Sequence, residues 1–460
     1  MSPSEFLSVY YVLWALLALE FCWIIRLEYK THSVAILFWA ALAVVYLVPA
    51  AFDPLVDGVT PPIGPDIELG TNPALLRAEL FALGFGLCYL LGRALFYPAE
   101  RRGKGCPPAE LPVRIRQDPR SRAMLVACLT TLAAALTASV YAIVSVEGIE
   151  GLIRGTYLSY RDESIGALKL AGYYGMMAAS GAAFLAWSLR RRGASLLCLA
   201  TITAGFLLGR TRQLFLPALS PFLMLFVHRQ SGVRGLAKLA TAAAVLYGAM
   251  LFLLVFRHQG DLASSIEAIT QRGLYDEFMA ALSENEGEAV LRYGYYYFID
   301  EQADTEGFGT GQTYRRLAIL PIPSSIAGSW KPQDFAVNLF VAYYGPTDLV
   351  GPTYHPLMYG DAYANLGWPG MLLGLFWAVV FGGVNLALHR CPPVLRAMLF
   401  APLGLWVLMA ARGAVYAATA AAFWGSLIAC GLFQLSQPVG ESAGRRAGGR
   451  ALTATASGRR

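Results

Sequence analysis

Two short turns between apolar runs carry arginines with no acidic residue nearby in sequence: Arg210 and Arg212 in GRTRQ, and Arg412 in AARGAV. A guanidinium is a rigid fork of donors that matches phosphate oxygens two at a time, so these positions suit a phosphate or diphosphate held at head-group depth. The same side chains have a plainer use, snorkelling to lipid phosphates and anchoring the turns. Arg154, Arg161, Arg257 and Lys331 are further cations of this kind, and Arg257 leaves an apolar run directly beside His258. Asp361 and His355 stand in PTYHPLMYGDAYANLGWPG, just ahead of another apolar run. A carboxylate half-buried at a membrane edge has a raised pKa and can take a proton from a hydroxyl; equally, Asp361 can cap a helix and His355 can be structural. Tyr295 and Tyr296 in the run YGYYYF, together with Trp330, offer flat faces on which sugar rings stack. An interfacial aromatic belt accounts for that run as well.

Positioning such groups falls to helices in a bilayer. The chain has 460 residues, 56% of them apolar and 14% charged, with a net charge of +6 and a mean hydropathy of +0.50, which is outside the range of soluble domains. Apolar windows close to the roughly 20 residues that span a hydrocarbon core run over Phe6–Ile25, Val34–Phe52, Ala74–Tyr97, Ala123–Val146 and Leu170–Leu189. Ala194–Gly209 and Leu214–Val227 follow as a helical hairpin around the GRTR turn, then Leu239–Phe256, Trp368–Leu388, Ala397–Ala411 and Ala414–Leu435. The expectation is an all-α polytopic membrane protein with about 11 transmembrane helices.

Lysine and arginine gather in the 99–122 loop, at Arg190–Arg192, at Arg229, Arg234 and Lys238, and in the tail. Cytoplasmic loops carry this excess, so the amino terminus is expected outside and the carboxyl terminus inside. The first run holds Glu20 and lacks a basic leader and a small-residue cleavage site, so it reads as a retained helix. The organisation expected is helices 1–8 over residues 1–256 with a basic, irregular connector at 99–122, a long outward loop at 257–359, helices 9–11 over 360–435, and a disordered tail at 436–460 rich in Gly, Ala, Ser, Thr and Arg. The outward loop holds about thirteen carboxylates against about six cations, which speaks against a polyanion or nucleic acid as its partner. Amphipathic helices are expected near Leu262–Leu282 and a helical run over Glu288–Glu301, broken by GFGTG at Gly307–Gly311; the prolines beyond permit only short helices. Seven cysteines without a CxxC or a Cys/His cluster give no sign of a metal site.

The segments SWKPQDF (Ser329–Phe335) and GPTYHPLMYGDAYANLGWPG (Gly351–Gly370) resemble elements of the bacterial oligosaccharide repeat-unit polymerases, the O-antigen polymerase (Wzy-type) family, and the GRTR turn resembles an arginine element these share with O-antigen ligases. The resemblance covers the chain from about the sixth apolar run onward. Asp361 stands where that family usually has Glu. The resemblance implies a GT-C-like fold in the bacterial inner membrane and a glycosyltransferase using undecaprenyl-diphosphate-linked glycans as donor and acceptor, with a chain-length regulator as partner and no cofactor. On that reading Asp361 or His355 handles the acceptor proton, while Arg210, Arg212, Arg257, Arg412, Lys331, Arg154 and Arg161 hold the diphosphate, and Tyr295, Tyr296 and Trp330 touch the glycan.

Two rivals stay in view. A ligase or other lipid-linked sugar transferase would share this architecture, and a metal-dependent one could use Asp66 and Glu68 of GPDIELG. A lipid-linked oligosaccharide flippase would show repeat symmetry and charges mid-helix; no repeat is visible, and Arg93 and Glu20 are expected near inward ends.

Overall fold

The computed structural model describes residues 2–56, 58–59, 65–102, 106–154, 166–209, 215–229, 289–301, 305–322, 324–346 and 353–436, with isolated positions at 267, 270–271 and 273. These residues are mostly helical. Among them, seven helices are long and apolar enough to cross a membrane.

Helix α1 (Pro3–Thr31) starts at a capping box in which Ser2 and Glu5 satisfy each other's end groups, and stops where His32 turns left-handed. The span α2 (Ala35–Leu55) loosens into a π turn over Ala43–Leu47 just ahead of Pro49, which has no N–H to continue an α register. A two-residue hairpin, β1 (Gly58–Val59) with β2 (Ile67–Glu68), leads to α3 (Pro73–Arg102). The 99–122 connector is less irregular than its composition implies. It contains α4 (Leu111–Gln117), because Leu111 and Ile115, one turn apart, are both buried.

Helix α5 (Ser121–Arg154) kinks at Gly148, whose φ is 69°. The single span expected over Leu170–Leu189 is two helices, α6 (Gly166–Ala179) and α7 (Ala182–Ser188). They part at Gly181, which presses against Met398, where a Cβ would sit 3.0 Å from the sulfur. The hairpin arms α8 (Arg192–Gly209) and α9 (Phe215–Arg229) are helical and shorter than the seven spans. The GRTR turn between them and the run Leu239–Phe256 lie outside the described residues, as do the expected amphipathic helices of Leu262–Leu282 apart from isolated positions. The loop supplies α10 (Ala289–Glu301), α11 (Gln312–Ala318) and α12 (Phe335–Tyr344). Then come α13 (Leu357–Leu366), α14 (Leu373–Arg390), α15 (Pro393–Ala411) and α16 (Val415–Leu435).

Without a hydrophobic drive between helices in lipid, close packing holds the bundle, and small residues permit it. Helices α3 and α14 pack along their length. At Gly374 the approach is so tight that an added Cβ would meet the Phe85 carbonyl oxygen at 2.1 Å.

The spans hold more charge than expected. Arg93 is fully buried and donates to Glu28 at 2.6 Å and to Glu100 at 2.9 Å, with Asn385 donating to Glu100 at 3.0 Å. Removing the guanidinium strands two buried carboxylates, so Arg93→Met is expected to cost about 3–5 kcal/mol, read as a large fall in melting temperature and in yield of folded protein. Glu79 accepts from Tyr10 and Tyr46. Glu20 lies not near the end of α1 but roughly 16 Å from it at 1.5 Å per residue, because the helix runs on to Thr31, beyond the expected Ile25. Both its carboxylate oxygens are buried without a hydrogen-bond partner among the described residues. They lie against α3 at Gly86, where a Cβ would come within 2.5 Å of Oε2.

Candidate active site at the seam of loop and bundle

Three glycines in GFGTG adopt left-handed φ values, 86° at Gly307, 74° at Gly309 and 67° at Gly311, which residues with a Cβ rarely do. The loop therefore doubles back over the end of α13. Gly309 N–H donates to the Ala364 carbonyl at 2.9 Å and Gly311 N–H to the Asn365 carbonyl at 2.8 Å, satisfying helix-end acceptors that would otherwise be orphaned. Thr313, at the start of α11, is thereby set on Asp361. Its hydroxyl donates to Asp361 Oδ1 at 3.3 Å, and its N–H donates to Asn365 Oδ1 at 2.9 Å. Asn365 in turn donates to Thr313 Oγ1 and to the Asp361 carbonyl.

Asp361 is 3% exposed, and its Oδ2 is buried with no partner among the described residues. Burial pushes its pKa up to about 8, and the nearby Asp334 adds to the rise while the Thr313 hydroxyl opposes it. Asp334 caps α12, accepting from Ala336 N–H at 3.2 Å. Burial raises its pKa too, against the pull of Arg316. Asp334, half-buried, is thus near enough to act on the charge of the buried Asp361, and Arg316 on that of Asp334.

That cation belongs to α11. Arg316 donates to the Pro332 carbonyl, and its guanidinium carbon lies 4.3 Å from the Tyr416 ring centre. Lys331 reaches the same ring at 5.9 Å and donates to the Ile322 carbonyl at 2.9 Å. Tyr416 opens α16, so one aromatic face at the bundle edge gathers two loop cations. Trp330, beside Lys331, is 85% exposed and keeps its ring open.

His355 and Arg412 come together through backbone. Leu357 has φ 59° at the entry to α13, and its carbonyl faces Gly413, where an added Cβ would lie 2.6 Å away. The turn joining α15 to α16 docks there and brings Arg412 near enough to His355 to act on its charge. Burial first, and Arg412 second, push the His355 pKa down to about 4. At neutral pH the imidazole is uncharged.

Asp361, His355, Arg412 and Lys331 from the sequence reading therefore meet along one seam. Asp334, Thr313 and Tyr416 were missed as site residues, although Asp334 lies within KPQDF, and Arg316 is one of several arginines of the outward loop whose sequence position alone gives a weak signal. Arg161, Arg210, Arg212 and Arg257, and the side chain of Arg154, lie outside the described residues. Tyr295 and Tyr296 are corrected. They are 0% and 2% exposed, and their hydroxyls donate to the Ala78 carbonyl and to Asp53. The rings are packed inside the bundle, leaving no face for a sugar. Arg292 is also taken, held by Asp53 through two bonds of 2.6 and 2.9 Å. Among the described residues no three His, Cys, Asp or Glu side chains are grouped to hold a metal ion. Compared with family models, with curated proteins and with solved structures, the chain matches none.

Proposed function

We propose that the seam transfers a glycosyl group from a lipid-linked diphosphate donor to a hydroxyl of a second lipid-linked glycan, polymerising repeat units at the outer face of a bacterial inner membrane. The observation that carries this reading is the buried Asp361 carboxyl with Asp334 near enough to act on its charge and Arg316 on that of Asp334, along a seam that also holds Lys331 at Tyr416 and Arg412 near His355. Breaking a glycosyl diphosphate bond leaves its electron pair and growing negative charge on the leaving oxygen, which fixed cations stabilise. The acceptor oxygen forms the new bond to the anomeric carbon, and its proton passes to the ionised Asp361. A pKa near 8 makes that carboxylate a stronger base than an ordinary aspartate. His355, neutral at working pH, accepts a hydrogen bond from a neighbouring hydroxyl of the acceptor glycan and orients it. Trp330 offers its open ring to the glycan.

Arg210 and Arg212 are assigned to the diphosphate on their sequence position. The test replaces Arg316 or the pair Arg210 and Arg212 with Ala and follows glycans on the lipid carrier. The expected result is polymer lost and single repeat units retained on the carrier; normal polymer from well-expressed variants rejects the reading.

Glu20 favours one rival. An unpartnered carboxyl inside the bundle is what a transporter of lipid-linked glycan would use to carry a proton. Glu20→Gln separates the two: polymerisation continues on the first reading, whereas on the second, lipid-linked units stay on the leaflet where they are made.

A further inference from the structure

We propose that the amino end of α15 binds a phosphate group, at the arginine-rich end of the bundle and opposite the seam. Arg396 sits in the first turn of α15 and is 1% exposed. Its Nη1 donates to the Cys106 carbonyl at 2.6 Å, and its guanidinium carbon lies 5.6 Å from the Phe400 ring centre. Nε and Nη2 are buried with no acceptor among the described residues. Of the undescribed stretches that adjoin this end, 103–105 and 230–256 contain no Asp or Glu, and the tail 437–460 contains one, Glu441.

A buried guanidinium with two idle donors is costly unless an anion meets it. Nε and Nη2 lie on one edge of the fork, the edge that takes two oxygens of a phosphate side by side. The start of a 19-residue helix adds positive potential at the same place. His389 stands in the last turn of α14, just ahead of α15 in the chain. Its Nε2 faces the Thr31 carbonyl at 3.1 Å and so carries the proton, which leaves Nδ1 bare, buried and without a partner among the described residues. Arg396 is near enough to act on the charge of both His389 and His228. A phosphate fits this set by giving two oxygens to Arg396, while Nδ1 accepts from a hydroxyl, the P–OH of inorganic hydrogen phosphate or a glycerol hydroxyl of a phosphatidylglycerol head group. The exposed Arg390 and Arg229 at neighbouring helix ends draw anions toward it.

An anionic lipid head group and free inorganic phosphate share this chemistry, and purified full-length protein in detergent tells them apart. Melting temperature is followed with phosphatidylglycerol, phosphatidylcholine or inorganic phosphate added, and retained phosphatidylglycerol is counted by native mass spectrometry. Stabilisation by phosphatidylglycerol alone assigns a lipid head group; stabilisation by inorganic phosphate as well assigns a free anion. Arg396→Lys keeps the charge and drops the fork, so it is expected to bind at least about tenfold more weakly, and His389→Ala to bind more weakly too. No stabilisation by either probe, or equal stabilisation of wild type, Arg396→Lys and His389→Ala, overturns the site.

Discussion

Asp361→Asn is expected to lower the rate of polymer formation by about 10²–10⁴-fold, the range for loss of a positioned general base, while making the folded protein less sensitive to alkali. The amide is nearly the same size and can accept from Thr313 as the carboxyl does, so the fold survives and only proton transfer is lost. The pH dependence carries the sign. Asp361 is raised in the folded state from the ordinary 3.8 to about 8, so between those values the folded protein holds a proton that the unfolded chain has released. Stability therefore falls as pH rises through this window, and levels off above about 8. The variant lacks this slope, so its melting temperature gains on wild type from pH 4 to pH 8. Wild-type activity is expected to run the other way, rising toward pH 8 if the proposed base ionises there. An asparagine variant that polymerises at the wild-type rate eliminates Asp361 as the base; a wild-type rate that falls over this range makes it an acid.

How much of this was readable in the chain depended on whether the signal was local. Membrane character follows from runs of apolar residues, and seven spans lie where hydropathy put them. The break at Gly181 did not show, because an apolar window does not register one glycine packed against Met398 of a distant helix. Asp361 and His355 stood out as polar residues at a helix entrance. Asp334 did not, since a residue ahead of a short helix reads as a cap, which it also is; only the fold sets it against Asp361. The tyrosines of YGYYYF misled for a related reason. Aromatics at a membrane edge look like a belt or a sugar platform, and only the third dimension reveals that Tyr295 and Tyr296 point into the bundle to meet Ala78 and Asp53. Glu20 was misplaced because an apolar window underestimates how far a helix continues past its apolar part.

Gly413→Val is expected to abolish polymer as fully as the asparagine change, but by a different route and with the opposite effect on stability. Gly413 has φ 92°, a conformation that costs a β-branched residue about 1–3 kcal/mol. Its new Cβ would also stand 2.6 Å from the Leu357 carbonyl oxygen. Backbone on both sides leaves no flexible side chain to give way, so the turn between α15 and α16 has to lift from the entry to α13. That lift separates Arg412 from His355 and moves the start of α16, carrying Tyr416 away from Arg316 and Lys331. Because one displacement dismantles both sets of cations, activity falls together with melting temperature. Arg412→Ala is the control, losing one cation without moving the turn, and it is expected to retain a melting temperature close to wild type while losing polymer. Wild-type activity and melting temperature in Gly413→Val would mean that the docked turn does not organise the site. Lost polymer with an unchanged melting temperature would instead place the effect on Arg412 alone.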